Sequence, residues 1–500
     1  MVEELLPRST VGRLREALDT AGYEYDAVVA LLGPQAHQAL SRNETTPGLR
    51  ATGGGGALET LVRLWLLQAP VPAEAAEHAL ADLVDPLIAA GILRRSVGEV
   101  IAAIDLRPYA TDRGNLWVAS DLTPGLDGGS ARVGAAHVLG ISSASTSLAQ
   151  LTVRHPVSRA LDLGTGCGVQ ALHLATHARH VVATDVNRRA LRLARLNAEL
   201  NGVSTGSTTG GIELREGSFF EPVADEQFDL VVTNPPFVIS PATGVRLVYR
   251  DSGLPGDRVV ERVVRTAPRH LAEGGTCQVL ANWMILRDHP WDERLAEWFD
   301  GCDAWVVQRE VADLPSYVEL WLKDAGLHGA PDYRERYDTW LSWFDEQGAE
   351  AVGFGWINLR RLSTGSTTEP VLRLEEWPWE VAQPLGDEVS AHFARTEQLR
   401  RLDDRALLAV PPLLRADVVQ ETHGPPGAED PTEIMLRQRT GMRRGRQVDT
   451  ATAALLGACD GELSLGRLLG AVEQLVGASV PLGTVRELVA EGYLTLPLPG

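Results

Sequence analysis

Cysteine and long apolar runs are scarce in this 500-residue chain, and each shortage excludes a class of protein. The four cysteines (Cys167, Cys277, Cys302 and Cys459) form no C-x-x-C pair, so we predict neither a metal site nor a disulfide framework. No run of about 18 apolar residues exists, and no basic start followed by an apolar stretch opens the chain. We therefore expect a reduced, cytoplasmic protein that does not span a membrane.

Positive charge is also in short supply. The chain has 46 basic and 66 acidic residues, which gives a formal net charge of −20 at pH 7. Proteins that grip long stretches of nucleic-acid backbone are usually basic, at least locally, so this balance argues against a nucleic-acid substrate. A local basic groove can nevertheless coexist with an acidic surface. One arginine cluster fits either a phosphate-binding patch or a solvated charge run: Arg437, Arg439, Arg443, Arg444 and Arg446.

Hydrophobic periodicity and turn residues divide the chain into four predicted regions. Residues 1–105 show helical patterns followed by a short hairpin, which favours a winged-helix-like domain. Residues 106–362 alternate strand and helix patterns, with an aromatic helical insertion at about 312–348 that is either a lid or a segment packed on the sheet. Residues 363–440 are predicted to be a linker and irregular region, and residues 441–500 a second winged-helix-like domain.

The central region has the β-α-β alternation of a doubly wound, parallel α/β sheet. Ligands of such sheets bind at the carboxyl ends of the strands, so we expect the site at that edge. The predicted strands are 160–163, 180–185, 212–215, 228–232 and 277–281, followed by a final pair at 305–309 and 352–359.

The first motif at this edge is a glycine-rich turn, in which Gly164, Thr165, Gly166 and Gly168 are the predicted cofactor contacts. Glycines let a backbone pass close to a ligand because they carry no Cβ. A dinucleotide fingerprint needs G-x-G-x-x-G, but the third glycine position holds Val169. The turn therefore lacks the spacing for a pyrophosphate and suits the amino-acid portion of S-adenosylmethionine, which has no phosphate.

Two further elements complete the predicted cofactor site. Asp185 ends the next strand about 20 residues after Gly164, where an acid accepts hydrogen bonds from ribose hydroxyls. The alternative is that Asp185 caps the following helix. Ser218 and Phe219 follow a third predicted strand and are further candidate cofactor contacts. The Phe219 ring either packs on the adenine face or belongs to the core.

The fourth motif, Asn234-Pro235-Pro236-Phe237, directly follows a strand and indicates the chemistry. An amide or exocyclic amino nitrogen is planar and a poor nucleophile, and accepting hydrogen bonds from its N–H groups favours the pyramidal form of the transition state. The Asn234 side-chain oxygen and the Pro235 carbonyl can accept those bonds, while the consecutive prolines fix φ. Phe237 offers a flat face to the acceptor. The turn-rich segment from Ser240 to Asp257 is either a substrate-gripping loop or a plain connection.

In this order the motifs resemble class I S-adenosylmethionine-dependent methyltransferases with an Asn-Pro-Pro-(Tyr/Phe) motif, especially the HemK-type release-factor glutamine methyltransferases. The resemblance covers roughly residues 130–285 and implies a Rossmann-like class I methyltransferase sheet. Adenine-N6 and guanine-N2 methyltransferases share the motif with Phe. The implied contacts are Asp162, Gly164, Gly166 and Asp185 for the cofactor, Asn234 and Pro235 for the acceptor, and Phe237 for stacking.

Three functions remain open. The first is methylation of a protein glutamine amide, with a translation release factor as the type of partner, and the net charge favours it. The second is methylation of an adenine or guanine amino group in RNA or DNA, which the winged-helix-like flanks and the arginine cluster favour. The third is a cofactor-sensing DNA-binding regulator. The intact motif at Asn234–Phe237 counts against the third, because a sensor does not need it.

Overall fold

The computed structural model describes residues 2–129, 133–206, 210–242, 253–363, 369–426 and 432–497. The chain forms two compact units, one made of residues 1–149 and 155–377 and the other of residues 150–154 and 378–500. Across these described ranges, no helix combines the length and the apolar character needed to cross a membrane. The finer division of the sequence into four regions stays a prediction.

Helices and a small sheet begin the first unit. Helix α1 buries Val11, Leu14 and Leu18, whose spacing of three and four residues places them on one helix face. Among the strands, β3 lies between β1 and β2, and β4 pairs with β5. Helices followed by a hairpin match the sequence pattern, while the winged-helix assignment stays a prediction. The elements are α1 (Arg8–Thr20), α2 (Tyr25–Leu40), α3 (Thr46–Ala51), α4 (Ala57–Leu61), β1 (Val71–Pro72), α5 (Ala73–Leu80), α6 (Val84–Ala89), β2 (Leu93–Ser96), β3 (Glu99–Ala102), β4 (Asp105–Thr111) and β5 (Gly114–Ser120).

The rest of the first unit is a large sheet with helices. Its elements are α7 (Ser143–Leu151), β6 (Val157–Leu163), α8 (Val169–Leu174), β7 (Ala178–Asp185), α9 (Arg188–Leu200), β8 (Gly211–Glu216), β9 (Phe228–Thr233), α10 (Arg258–His270), β10 (Leu271–Leu286), α11 (Trp291–Ala296), β11 (Cys302–Asp313), α12 (Leu314–Asp324), α13 (Tyr333–Glu346), β12 (Ala349–Arg361) and β13 (Leu372–Glu376). The strand order is β13-β11-β12-β10-β9-β6-β7-β8. From β8 to β10 this order is doubly wound, with its switch point beside β6.

One strand departs from the predicted parallel sheet. Strands β6 to β10 are parallel, but β12 runs antiparallel to both β10 and β11. The prediction of a purely parallel sheet is therefore wrong, and the sheet is mixed. The reason lies in the connection, because α12 and α13 return the chain at the edge where β11 ends. Ala349 pairs with Leu286 and Ala351 pairs with Asp313, so this helical insertion lies at the carboxyl edge of the parallel strands.

A buried amide ties the N-terminal part of the unit to the sheet. Asn197 on α9 is fully buried, and its side-chain nitrogen donates to the carbonyls of Ala119 and Cys167, both at 2.8 Å. Its side-chain oxygen accepts from the Ala119 amide at 2.7 Å. Each of its polar atoms has a partner, so this buried amide fixes β5 and the glycine turn on the same helix.

Residues predicted as a linker and irregular region carry regular structure. Strand β13 runs parallel to β11 and extends the large sheet. Beyond it the second unit contains α14 (Gly386–Arg401), α15 (Asp404–Ala409), β14 (Leu413–Leu414), β15 (Val418–His423) and β16 (Glu433–Gln438). Residues 363–440 therefore contain regular helices and strands, while their assignment as a separate linker region stays a prediction. In β13 only two leucines alternate with charged residues, too short a pattern to predict a strand, and Arg373 and Glu375 form an ion pair there.

The predicted boundary at residue 441 falls inside a small sheet of the second unit. Strand β16 pairs with β15 and with β17 (Gly445–Val448), so the three strands form one sheet across that position. The remaining elements are α16 (Thr450–Gly457), α17 (Leu465–Val476), α18 (Leu482–Ala490) and β18 (Leu494–Thr495). They pack around a core that includes Leu455, Leu488 and Tyr493.

Candidate active site

A cavity of about 370 Å³ lies where β6, β7, β8 and β9 end. This volume is within the range of about 300–1,000 Å³ that is typical of small-molecule sites. The cavity brings together most of the residues predicted from the sequence. They are Asp162, Gly164, Thr165, Gly166, Asp185, Ser218, Phe219, Asn234, Pro235 and Pro236.

The glycine turn leaves open space where side chains would otherwise project. Gly164 has φ of +75° and Gly166 has φ of +56°, both in the left-handed region that favours glycine. A Cβ at either position would meet no other atom within 4 Å. The amides of Gly164 and Thr165 donate to the Thr184 carbonyl at 2.9 and 2.8 Å. The turn is therefore anchored to β7 while its glycines stay open to the cavity.

Asp162 organises the turn from inside. Its side chain is buried, and one carboxyl oxygen accepts from the Thr165 hydroxyl at 2.5 Å and from the Ala171 amide at 2.9 Å. Burial raises the pKa of Asp162 to about 7, although these two donors act in the opposite direction. Asp162 therefore links the end of β6, the turn and the start of α8.

Asp185 joins the second strand to the same turn. One carboxyl oxygen accepts from the Gly166 amide at 2.9 Å and the other from the Asn187 amide at 2.8 Å. Burial raises the pKa of Asp185. The residue that caps α9 is Asn187, whose side chain accepts from the Arg189 amide, so the alternative role of Asp185 as that cap is wrong. Each Asp185 oxygen keeps acceptor capacity for a ligand hydroxyl.

Gly168 has a packing role. It does not line the cavity, although the sequence predicted a cofactor contact there. Its φ is +88°, and a Cβ would lie 3.0 Å from the Cβ and 3.1 Å from the Cα of Ala194. Glycine is required here because α9 approaches the turn closely, a contact that spacing along the chain cannot distinguish from ligand approach.

Phe219 lies between the cavity and the core. It lines the cavity and also packs against the main core of the sheet. Its φ is +47°, an unusual value for a bulky residue, and the Arg262 guanidinium carbon lies 5.1 Å from its ring centroid. Such backbone strain concentrates at ligand sites. Ser218 lines the cavity beside it.

The acceptor motif supplies an unsatisfied polar atom. The Asn234 side-chain oxygen is buried and has no hydrogen-bond partner among the described residues. A buried acceptor without a partner costs about 1–3 kcal/mol, so native structures rarely leave one without a reason. Asn234 follows Thr233, whose hydroxyl donates to the Leu163 carbonyl at 2.7 Å and holds the end of β9 against β6. Pro235 and Pro236 also line the cavity.

Phe237 is not in the cavity lining, and its stacking on the acceptor stays a prediction. It packs against the main core, and its ring centroid lies 6.2 Å from that of Trp321 in a T-shaped arrangement. The aromatic insertion explains this, since it presents a ring to Phe237. The predicted substrate-gripping loop from Ser240 to Asp257 lies mostly outside the described residues.

The sequence analysis missed one wall of the cavity. His137, Val138 and Gly140 line it from the segment before α7. This wall is fixed by Asp121, which accepts from the Val138 amide at 2.9 Å and forms an ion pair with Arg189. No sequence motif marks these residues. Asn187 also lines the cavity, and its position two residues after Asp185 at the start of a helix was the available signal.

Two family models match the chain. Residues 140–310 match the model described as "Methyltransferase small domain", and residues 20–103 match a domain of unknown function. The first match covers every residue of the candidate site from Gly140 onward. It confirms the methyltransferase resemblance that the motifs predicted.

Curated relatives show the same resemblance over about a quarter to a third of the chain. The ribosomal protein uL3 glutamine methyltransferase of Bradyrhizobium diazoefficiens is 32% identical over 166 residues, 30% of this chain and 50% of that protein. The release factor glutamine methyltransferase of Xylella fastidiosa is 33% identical over 150 residues, 28% and 49% of the two chains. That of Geobacter sulfurreducens is 33% identical over 132 residues, 24% and 43%. The chain spans about half the length of the curated relatives it matches.

Proposed function

We propose that the chain is an S-adenosylmethionine-dependent N-methyltransferase whose acceptor is a planar nitrogen, first of all a glutamine side-chain amide of a protein. The observation that carries this proposal is the partnerless side-chain oxygen of Asn234, in the same cavity as the glycine turn and Asp185. An acceptor N–H would satisfy that oxygen. A protein that only senses the cofactor has no use for it.

The cavity fits S-adenosylmethionine in three respects. The open positions at Gly164 and Gly166 leave room for the amino-acid portion, and Asp185 keeps acceptor capacity for the ribose hydroxyls. Phe219 presents a ring face for the adenine. When bound, the cofactor supplies a methyl group activated by its sulfonium. The protein therefore needs to bind and orient the two reactants, and needs no nucleophile of its own.

The acceptor end would contribute orientation and electrostatics. The Asn234 oxygen and the Pro235 carbonyl would accept hydrogen bonds from the two N–H groups of the acceptor. These hydrogen bonds strengthen as the acceptor nitrogen becomes pyramidal. The hydrogen bond from the Thr233 hydroxyl on β9 to β6 fixes the position of the backbone from which Asn234 projects. Holding nitrogen and methyl carbon in line accounts for the remaining rate enhancement.

A protein acceptor is favoured over a nucleic acid by two observations. The relatives named above act on ribosomal protein uL3 or on release factors, according to their names. The arginine cluster also has partners within the protein, because Arg437 pairs with Glu421, Arg443 with Glu380, and Arg446 with Glu487 and Glu491. These three guanidiniums already have carboxylate partners, which weakens the case for a phosphate-binding patch. In this proposal the winged-helix-like flanks bind the macromolecular substrate.

The test is methyl transfer from labelled S-adenosylmethionine into an extract split into a deproteinised and an RNA-depleted fraction. We expect label in protein, and in N5-methylglutamine after enzymatic digestion, because acid hydrolysis would cleave the methylated amide. The Asn234→Ala variant provides the background, since it keeps the cofactor site and loses the acceptor contact. Label that enters nucleic acid alone would favour base methylation. Cofactor binding without any transfer would favour the sensor.

A further inference from the structure

A hydroxyl group from the helical insertion reaches the segment that follows the acceptor motif. The Ile239 amide, five residues after Asn234, donates a hydrogen bond to the Tyr317 hydroxyl at 2.8 Å. Tyr317 lies on α12, in the insertion between β11 and β12. Both Tyr317 and Ile239 are fully buried. This contact joins the acceptor segment, residues 234–240, to a part of the chain that carries none of the methyltransferase motifs.

We propose that Tyr317 is a positioning residue for methyl transfer, which fixes the acceptor segment through the Ile239 amide and so sets the place of Asn234. This inference rests on the proposed function. It gives the aromatic insertion a role in the reaction, since the insertion would hold in place the residues that touch the acceptor. Tyr317 itself touches neither cofactor nor acceptor in this account.

The rings around Tyr317 make the hydroxyl a fixed point. Its ring packs at 5.9 Å from Phe344, 5.8 Å from Phe354 and 6.1 Å from Trp321, centroid to centroid. Trp321 in turn makes the T-shaped contact with Phe237. The insertion therefore contacts the acceptor segment at two points, one polar at Ile239 and one aromatic at Phe237. Close packing on all sides leaves the Tyr317 side chain little freedom to move.

The hydrogen bond is also difficult to replace. A backbone amide that is buried without a partner is rare and costly, and the Ile239 amide has the Tyr317 oxygen as its acceptor. Burial raises the pKa of Tyr317, so the phenol stays neutral. Without the oxygen, the Ile239 amide would have to move towards water. Residues 234–237 lie directly upstream and would move with it.

The test compares two variants that each remove one buried phenolic oxygen. Tyr317→Phe keeps the ring and deletes the acceptor of the Ile239 amide. Tyr23→Phe is the matched control, because Tyr23 is also fully buried and its hydroxyl donates to a backbone carbonyl, that of Leu106, at 2.7 Å. Displacement of a reacting group by about 1 Å can cost about a hundredfold in rate. We expect Tyr317→Phe to lower kcat by about tenfold to a hundredfold, with the cofactor Kd unchanged.

Tyr23→Phe should lose a similar amount of stability and keep its turnover. Equal turnover losses in the two variants, or a Tyr317→Phe variant with normal kcat, would overturn the positioning role. A double variant adds a second readout. In an Asn234→Ala background, Tyr317→Phe should have little further effect, because residues that act as a unit are not additive. Full additivity of the two losses would mean that Tyr317 does not act through Asn234.

Hydrogen exchange tests whether Tyr317 fixes the backbone at Ile239, and this measurement does not depend on methyl transfer. The peptide containing Ile239 should exchange its amides faster in Tyr317→Phe than in the unaltered protein, and at the unaltered rate in Tyr23→Phe. Unchanged exchange in Tyr317→Phe would refute the inference even if methyl transfer were detected. If exchange were faster in Tyr317→Phe but the unaltered protein transferred no methyl group, the contact would be confirmed and the proposed function would be wrong.

Discussion

The two ends of the candidate site are held in different ways. At the cofactor end, Asp162 binds residues 3 and 9 positions further along the chain, and Asp185 binds a residue 19 positions before it. At the acceptor end, the bond that fixes Ile239 comes from Tyr317, 78 positions away. The cofactor turn therefore carries most of its own geometry. The acceptor segment is held in part by the helical insertion between β11 and β12.

This difference predicts how each end responds to substitution. A substitution in the locally organised turn should weaken cofactor binding and leave the acceptor segment in place. An acceptor segment supported from a distance should lose turnover while cofactor binding stays intact. Each variant below tests whether the two ends are as separate as these contacts suggest.

The largest effect is expected at Asn234, whose side-chain oxygen is buried without a partner. Asn234→Ala should lower kcat by about 10²–10³, because deleting one preorganised contact to the transition state typically costs that much. kcat and kcat/KM should fall together, since the contact strengthens chiefly in the transition state. Cofactor affinity should stay within a few-fold. Single-turnover methyl transfer beside a cofactor titration measures both quantities.

Asn234→Asp is the control of matched shape. It keeps an acceptor oxygen but adds a negative charge near the cofactor sulfonium, which stabilises the charged ground state that the reaction must discharge. We expect turnover to be strongly impaired and cofactor binding to be slightly tighter. An alanine variant with near-normal turnover would reduce Asn-Pro-Pro to a simple turn, and the contact to the acceptor nitrogen would have to come from other residues.

More of the cofactor end than of the acceptor end could be predicted from the sequence, because its contacts join residues that are close together along the chain. The glycine turn and Asp185 are local patterns, and the cavity contains both. At Gly168, the close approach of Ala194 cannot be distinguished along the chain from the approach of a ligand. The contacts of Phe237 with Trp321 and of Ile239 with Tyr317 depend on tertiary packing, which periodicity does not encode.

The sheet shows the same limit. The strands of the central region were predicted from their alternation with helices. The antiparallel direction of β12 depends on where α12 and α13 return the chain, and no residue pattern specifies that. Strand β13 went unnoticed because its two leucines alternate with charged residues over only a short stretch. Hydrogen bonding to β11 makes it a strand.

The next effect in size is expected at Asp185. Asp185→Ala should weaken cofactor binding by about 1.5–3 kcal/mol, the range for hydrogen bonds to a charged group. It should raise the cofactor KM far more than it lowers kcat. Part of the loss will come from the turn, because Asp185 also accepts from the Gly166 amide. Asp185→Asn keeps one acceptor oxygen and should lose less. A Kd that changes by less than about 1 kcal/mol in the alanine variant would contradict the ribose role.

Substitutions at two glycines of the turn should distinguish a position that leaves room for a ligand from one that is needed for packing. Gly168→Ala places a Cβ against Ala194, whereas Gly166→Ala places one in open space. Both adopt left-handed backbone, so the strain is shared. The overpacking at Gly168 should lower its unfolding free energy by about 1–3 kcal/mol more than in Gly166→Ala. Gly166→Ala should instead lose cofactor affinity. Denaturant unfolding beside calorimetry tests this, and the reverse pattern would place the ligand at Gly168.

The last effect, at most about 1.4 kcal/mol per pH unit for a single proton, concerns the pH dependence of stability. Burial raises the pKa of Asp162 to about 7, above the unfolded value of about 3.9. Between these values the folded protein binds more protons at this site than the unfolded chain does. Ionisation of Asp162 therefore lowers the free energy of unfolding as the pH rises from about 4 to about 7, and its effect levels off above that.

Asp162→Asn isolates this contribution, because the amide resembles the protonated carboxyl in shape and cannot ionise. Other groups titrate in the same window, so the informative quantity is the difference between the unfolding free energies of variant and unaltered protein. That difference should shift in favour of Asp162→Asn as the pH rises from about 4 to about 7. If the two donors, Thr165 and Ala171, outweighed burial, the pKa would be depressed. The variant would then lose relative stability as the pH rises. The sign of the slope thus decides whether burial or hydrogen bonding dominates at the centre of the cofactor turn.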